Sequence, residues 1–109
     1  MKLKEKKCVP CEGGVNPITL ETTQEYLKEI SHEWDADKNN SIQRDFDFKD
    51  FKSGMAFANK VAEIAEEEGH HPDMHIYYSH VEIDLSTHAI GGLSENDFIL
   101  AAKIDELVT

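Results

Sequence analysis

Apolar positions recur at helical spacing in three stretches of the chain and at strand spacing in four. The clearest stretch runs from about Asp50 to Glu68. At about 100° per residue, Phe51, Gly54, Met55, Phe57, Ala58, Val61, Ala62, Ile64 and Ala65 share roughly half the circumference. Lys52, Ser53, Asn59, Lys60, Glu63, Glu66 and Glu67 occupy the other half. Gly54 inside this helix costs about 1 kcal/mol against alanine, and a close approach of helix to sheet would explain it. Gly69 stands where a left-handed residue ends a helix. An earlier helix is predicted from about Thr19 to Ser31, with Thr19 as N-cap and Tyr26, Leu27 and Ile30 inward. A last helix is predicted from about Glu95 to Leu107, with Phe98, Ala101, Ile104 and Val108 inward. Ser94 and Asp97 before it have capping-box spacing.

Alternation predicts two pairs of strands. The first pair lies near 33–37 and 41–48, around the turn residues Lys38-Asn39-Asn40. Ile42, Phe46 and Phe48 share a face that Arg44 interrupts. The second pair spans Met74–Tyr78 and His80–Ser86, where Val81, Ile83 and Leu85 alternate with Glu82 and Asp84. Ser79 and His80 leave room only for a tight turn. The element order is therefore α-β-β-α-β-β-α. This is an α+β fold, a four-stranded antiparallel sheet with helices packed on one face. Residues 1–109 form one domain, and 1–17 read as an irregular lead-in.

Charge narrows the function. The 109 residues include 22 Asp and Glu against 11 Lys and Arg, a net charge of −11. Such a polyanion is repelled by phosphate backbones and anionic membranes, so no nucleic acid and no membrane are expected as partners. No apolar run approaches the roughly 20 residues that span a bilayer, and the charged start has no signal-peptide pattern. A cytoplasmic protein is expected. Cys8 and Cys11 form a lone C-x-x-C without a second ligand pair, so they read as two reduced thiols in a loosely ordered tail.

The chemistry concentrates in Gly69-His70-His71-Pro72-Asp73. Gly69 ends a helix and Pro72 stops it resuming, so both rings sit on a short, stiff connection. The antiparallel return of the second strand pair brings His88, with Ser86 and Thr87 beside it, back toward them. Three imidazoles at one edge suit proton transfer near neutral pH. Adjacent histidines at a helix C-terminus equally suit capping of its carbonyls. No H-E-x-x-H pattern or carboxylate cage is present, so no metal is expected; no other cofactor is expected. His32, His75 and His80 are assigned no role.

The pattern Glu66-x-x-x-His70-His71-Pro72, with Tyr78, His88 and Asp97 following at intervals, resembles the signature of the pterin-4a-carbinolamine dehydratase family. KKCVPCEGG, FDFKDFKSGMAFANKVAEIAE and THAIGGLSENDFILAAKID resemble its bacterial members as well. The resemblance implies dehydration of 4a-hydroxytetrahydropterin to quinonoid dihydropterin, which recycles the cofactor of aromatic amino-acid hydroxylases. It implies a homodimer or homotetramer and no metal. It carries the catalytic roles to His70, His71 and His88. His70 and His71 would supply acid and base in an order left open, and His88 would hold the hydroxyl side. Glu66 and Pro72 would support the substrate site, and Met74, Ser86 and Thr87 would line it. Met74 stands where animal members have a tryptophan, Gly69 where they have an aspartate, and Asn96 where they have an arginine. The alternative is a non-catalytic pterin-binding module or a dimerisation cofactor for another protein.

Overall fold

A computed structural model describes residues 2–9, 16–37 and 40–108. Cys11, Lys38 and Asn39 lie outside the described residues, and with them the C-x-x-C pair and most of the expected turn. Three helices, α1 (Leu20–Leu27), α2 (Phe51–Glu68) and α3 (Glu95–Asp105), accompany four strands. The strands are β1 (Asp35–Asp37), β2 (Ser41–Asp47), β3 (Asp73–Ile76) and β4 (His80–Leu85). They form one antiparallel sheet in the order β1-β2-β4-β3. The expected element order and α+β class hold. The join of β2 to β4, with Phe46 opposite Val81 and Ile42 opposite Leu85, is long-range and was not visible in local spacing. Among the described residues no helix is long and apolar enough to cross a membrane.

Each helix begins where a side chain accepts from its first turn. Thr19 Oγ1 accepts from Thr22 N–H at 3.2 Å, and Asp50 Oδ1 from Ser53 N–H at 2.8 Å. Helix α2 ends at Gly69, whose φ of +68° lies in the left-handed region. Its N–H and that of His70 both reach Ala65 O, at 2.9 and 3.2 Å. The core lies between the sheet and the helices. Ile42, Phe46, Val81, Ile83 and Leu85 meet Phe57 and Val61 of α2 and Phe98, Leu100 and Ile104 of α3.

Several boundaries differ from expectation. Helix α1 stops at Leu27, although Ile30 still packs on the core. The strands are shorter, and the β3–β4 turn is closed by Tyr77 N–H to His80 O at 2.9 Å, which places Tyr78 and Ser79 at its tip. Helix α3 gives way to a 3-10 turn over Glu106–Val108, leaving Val108 exposed where burial was expected. The helix itself is buried on most sides, because the sheet, α1, α2 and the N-terminal turn all pack around it.

Arg44 keeps its place on the helix side of β2 because acids await it. Its guanidinium donates to Asp105 Oδ1 at 2.7 Å and Glu33 Oε2 at 2.9 Å, over the Phe46 ring. Asp105 also accepts from Trp34 Nε1 at 2.8 Å and Ser31 N–H at 2.9 Å.

The lead-in is not loose over residues 2–9. Leu3 is buried in the core, within a 3-10 turn over Leu3–Glu5. Lys6 pairs with Glu95 at 2.7 Å, Cys8 N–H donates to Glu68 Oε1 at 2.8 Å, and Val9 exchanges two bonds with Asn96. This strap crosses from the end of α2 to the start of α3. Burial first, then the Glu68 charge, pushes the Cys8 thiol up to about 12.

Two outcomes follow from these contacts. A Cβ added at Gly54 meets Phe48 and Val81 at 3.5 Å, an ordinary contact, so close approach does not require glycine there. Gly54→Ala is expected to raise unfolding free energy by about 0.5–1 kcal/mol in denaturant titrations; a loss would show that the sheet lies closer than described. Cys8 should be almost wholly thiol near pH 8. In a Cys11→Ser background its alkylation by iodoacetamide should be at least about a hundredfold slower folded than unfolded. Equal rates would show that the strap is open in solution.

Candidate active site

Asp97 occupies the third position of α3 and is completely buried. Its carboxylate sits at the positive end of the helix, where an anion is favoured. Oδ2 accepts from Ser94 N–H at 3.0 Å and from Thr87 Oγ1 at 2.9 Å. Oδ1 meets His70 Nε2 at 2.6 Å. The side chain read as half of a capping box is thus also the anchor of the first histidine. Sequence reasoning did not assign it a site role. The signal that could have done so was the coincidence of the capping position with the last position of the signature.

Backbone features deliver His70 to that carboxylate. The left-handed turn at Gly69 redirects the chain after α2, and Pro72 leads into β3 at Asp73. The register sets Asp73 opposite Asp84, so the end of β4 returns toward the histidine loop as the strand polarity required. Thr87 then turns inward. Its N–H is taken by Gly92 O at 2.8 Å, and its hydroxyl also meets Ser94 Oγ at 2.7 Å. It is therefore a brace for Asp97, and its N–H is not open to a ligand.

A carboxylate only accepts, so His70 carries its proton on Nε2 when neutral, which leaves Nδ1 as acceptor. The ring is largely buried, with 12% of its side chain exposed. His71 makes a second pair of the same kind, Nε2 to Glu66 Oε2 at 2.5 Å, but 60% of its side chain is exposed. Consecutive residues thus present two histidine–carboxylate dyads, one fixed inside and one facing water.

The other expected residues divide. His88 lies exposed in a 3-10 turn over His88–Ile90, directly after the braced Thr87. Among the described residues no hydrogen bond or ion pair joins it to the other two rings. Ser86 and Pro72 are half-buried beside the loop. Met74 is half-buried on the helix side of β3, packed against the core. Asn96 is buried and holds Val9. A cleft of about 390 Å³ lies elsewhere, against Lys2, Leu3, Ile30, Ser31 and Asp105. Its Ser31 N–H and Asp105 carboxylate are already engaged, so it offers no comparable chemistry.

Known proteins resemble this chain in sequence and fold. Residues 16–107 match the model of the pterin 4 alpha carbinolamine dehydratase family. A Nitrosomonas eutropha protein assigned as a pterin-4-alpha-carbinolamine dehydratase is 48% identical over 97% of this chain and 93% of its own. A Halorhodospira halophila protein of the same assignment is 45% identical over 98% of both. A transcriptional coactivator/pterin dehydratase from Brucella melitensis superposes with a TM-score of 0.79 at 32% identity, over 86% of this chain and all of that one. A pterin dehydratase-like protein identified as a RuBisCO assembly factor in the alpha-carboxysome gives 0.59 at 27% identity, over 70% and 89%. With nearly the whole chain matched and relatives this similar from end to end, the chain belongs to the pterin 4 alpha carbinolamine dehydratase family, a family of dehydratases.

Proposed function

We propose that the chain dehydrates 4a-hydroxytetrahydropterin to quinonoid dihydropterin, with the two histidine–carboxylate dyads moving the protons. The observation that carries this reading is the pairing of His70 with buried Asp97 beside the pairing of His71 with Glu66. Loss of water from the substrate needs one proton delivered to the departing 4a-hydroxyl and one removed from the adjacent ring nitrogen. Neighbouring rings with separate carboxylate partners supply one group for each task. Asp97 fixes the orientation and tautomer of His70. The exposed His71 exchanges protons with water between turnovers. His88, on the turn that Thr87 anchors, contacts the hydroxyl side. Each acid or base contributes about 10²–10⁴-fold.

The product is a quinonoid dihydropterin, so the reaction returns the pterin to the form that a reductase recycles for aromatic amino-acid hydroxylases. A homodimer or homotetramer in the cytoplasm is the expected setting. A second reading, a binding module, is favoured by the Brucella relative, a transcriptional coactivator/pterin dehydratase, and by the carboxysome relative, a RuBisCO assembly factor.

Stopped-flow absorbance of freshly generated 4a-hydroxytetrahydropterin, at a pH where spontaneous dehydration is slow, tests this directly. The protein should accelerate decay, and His70→Ala and His71→Ala should each lower kcat by about 10²-fold or more. Asp97→Asn should lower kcat with little change in KM, because it disturbs the ring's orientation and not substrate contact. No acceleration by folded protein, or full rates in both histidine variants, would remove the catalytic reading and leave the binding module.

A further inference from the structure

The helix-free face of the sheet carries a second group of side chains that the dehydration does not use. His75 on β3 stands directly opposite Glu82 on β4, and Asp84 lies two residues further along the same face. His75 Nδ1 is 3.5 Å from Glu82 Oε2 and 3.9 Å from Asp84 Oδ2. One donor atom from each of the three lies within 4.8 Å of the others. Bonds of about 2.0–2.1 Å to a tetrahedral ion set its donors roughly 3.4 Å apart. The half-exposed His75 ring needs only a small side-chain adjustment to reach that spacing.

The surroundings compensate these acids only in part, through His75 and the Gln43 side chain. Asp73 faces Asp84 across the strands, and Gln43 and Asp45 of β2 face Asp84 and Glu82. Among the described residues, His75 is the one basic group within 4.0 Å of Asp73, Glu82 or Asp84. Asp84 Oδ1 is sealed from water and no donor reaches hydrogen-bonding distance of it. A buried carboxylate oxygen with no donor is costly, and a cation is the partner that offsets it.

We propose that His75, Glu82 and Asp84 bind one divalent transition-metal ion on the open face of the sheet. An imidazole with two carboxylates selects zinc, manganese, cobalt or nickel over magnesium and calcium, which prefer oxygen alone. The absence of a thiolate from this donor set removes the preference for copper(I). The remaining positions belong to water, since the outer side is open. All three donors stand on paired strands, so their backbone positions are set by the register. The ion would clamp β3, the edge strand, to β4. Strand β3 begins at Asp73, directly after Pro72 of the histidine loop. The clamp therefore steadies the loop from behind and is independent of the reaction proposed for it.

The test uses the full chain with Cys8→Ser and Cys11→Ser, which removes thiolate ligands, freed of metal by a chelator. Zinc is titrated in competition with a chromophoric chelator, and thermal unfolding is followed with and without zinc. One equivalent should bind and raise Tm. His75→Gln and Asp84→Asn should each weaken binding roughly tenfold or more and abolish most of the Tm rise. His70→Ala and His71→Ala in the same background should bind zinc as the parent does. Circular dichroism confirms that each variant is folded, and Glu82→Gln replaces any that is not. No binding overturns the proposal. So does affinity unchanged in His75→Gln, or binding lost on substitution of His70 or His71 instead.

Discussion

The buried carboxylate of Asp97 is the constraint around which this protein is arranged. It has no exposed surface, yet three separate pieces of chain converge on it: the exit of α2 through His70, the exit of β4 through Thr87, and the cap of α3 through Ser94. Burying a carboxylate costs several kcal/mol unless its oxygens are paired. Here both oxygens are paired, and the helix N-terminus adds its own partial positive charge. The same bonds that make burial tolerable also fix an imidazole in one orientation. Stability and site geometry are therefore not separable at this residue.

Helix α3 carries a second such residue at its other end. Asp105 lies near the negative end of the helix, where an acid is disfavoured. Arg44, Trp34 and the Ser31 N–H converge on it and offset that penalty. One carboxylate thus ties α3 to the β1–β2 side of the molecule, and the other ties it to the histidine loop. The strap over residues 2–9 closes the gap between α2 and α3 through Glu68, Glu95 and Asn96. Helix α3 is held at both ends and along its side, which explains why it is the most buried helix although its sequence is short and acidic at the start.

Much of this was legible before any coordinates. Gly69 and Pro72 located the turn and the two rings, because a left-handed stop and a fixed φ leave the chain few alternatives. The alternation in β4 and the helical stripe of α2 placed the sheet and its cover. Arg44 looked like an error in a strand pattern because its partners, Asp105 and Glu33, lie 61 and 11 residues away. Asp97 looked like a cap because its helix-starting role is local and its bond to His70 spans 27 residues. The strap looked loose because its order comes from distant side chains, not from its own spacing. His75 carries no local signal for the same reason: its acids are on the neighbouring strand. Local spacing reports what a segment does with itself, and these residues act across the fold.

The most direct test of Asp97 as the organising residue is the protonation pattern of His70, read by long-range nitrogen–proton NMR on the free protein. The arrangement predicts a neutral ring protonated on Nε2, with a slowly exchanging proton shielded at Asp97, and conversion to a mixed or opposite tautomer in Asp97→Asn. A ring protonated on Nδ1, or a freely exchanging mixture in the unaltered protein, would contradict it and detach the histidine loop from the buried carboxylate.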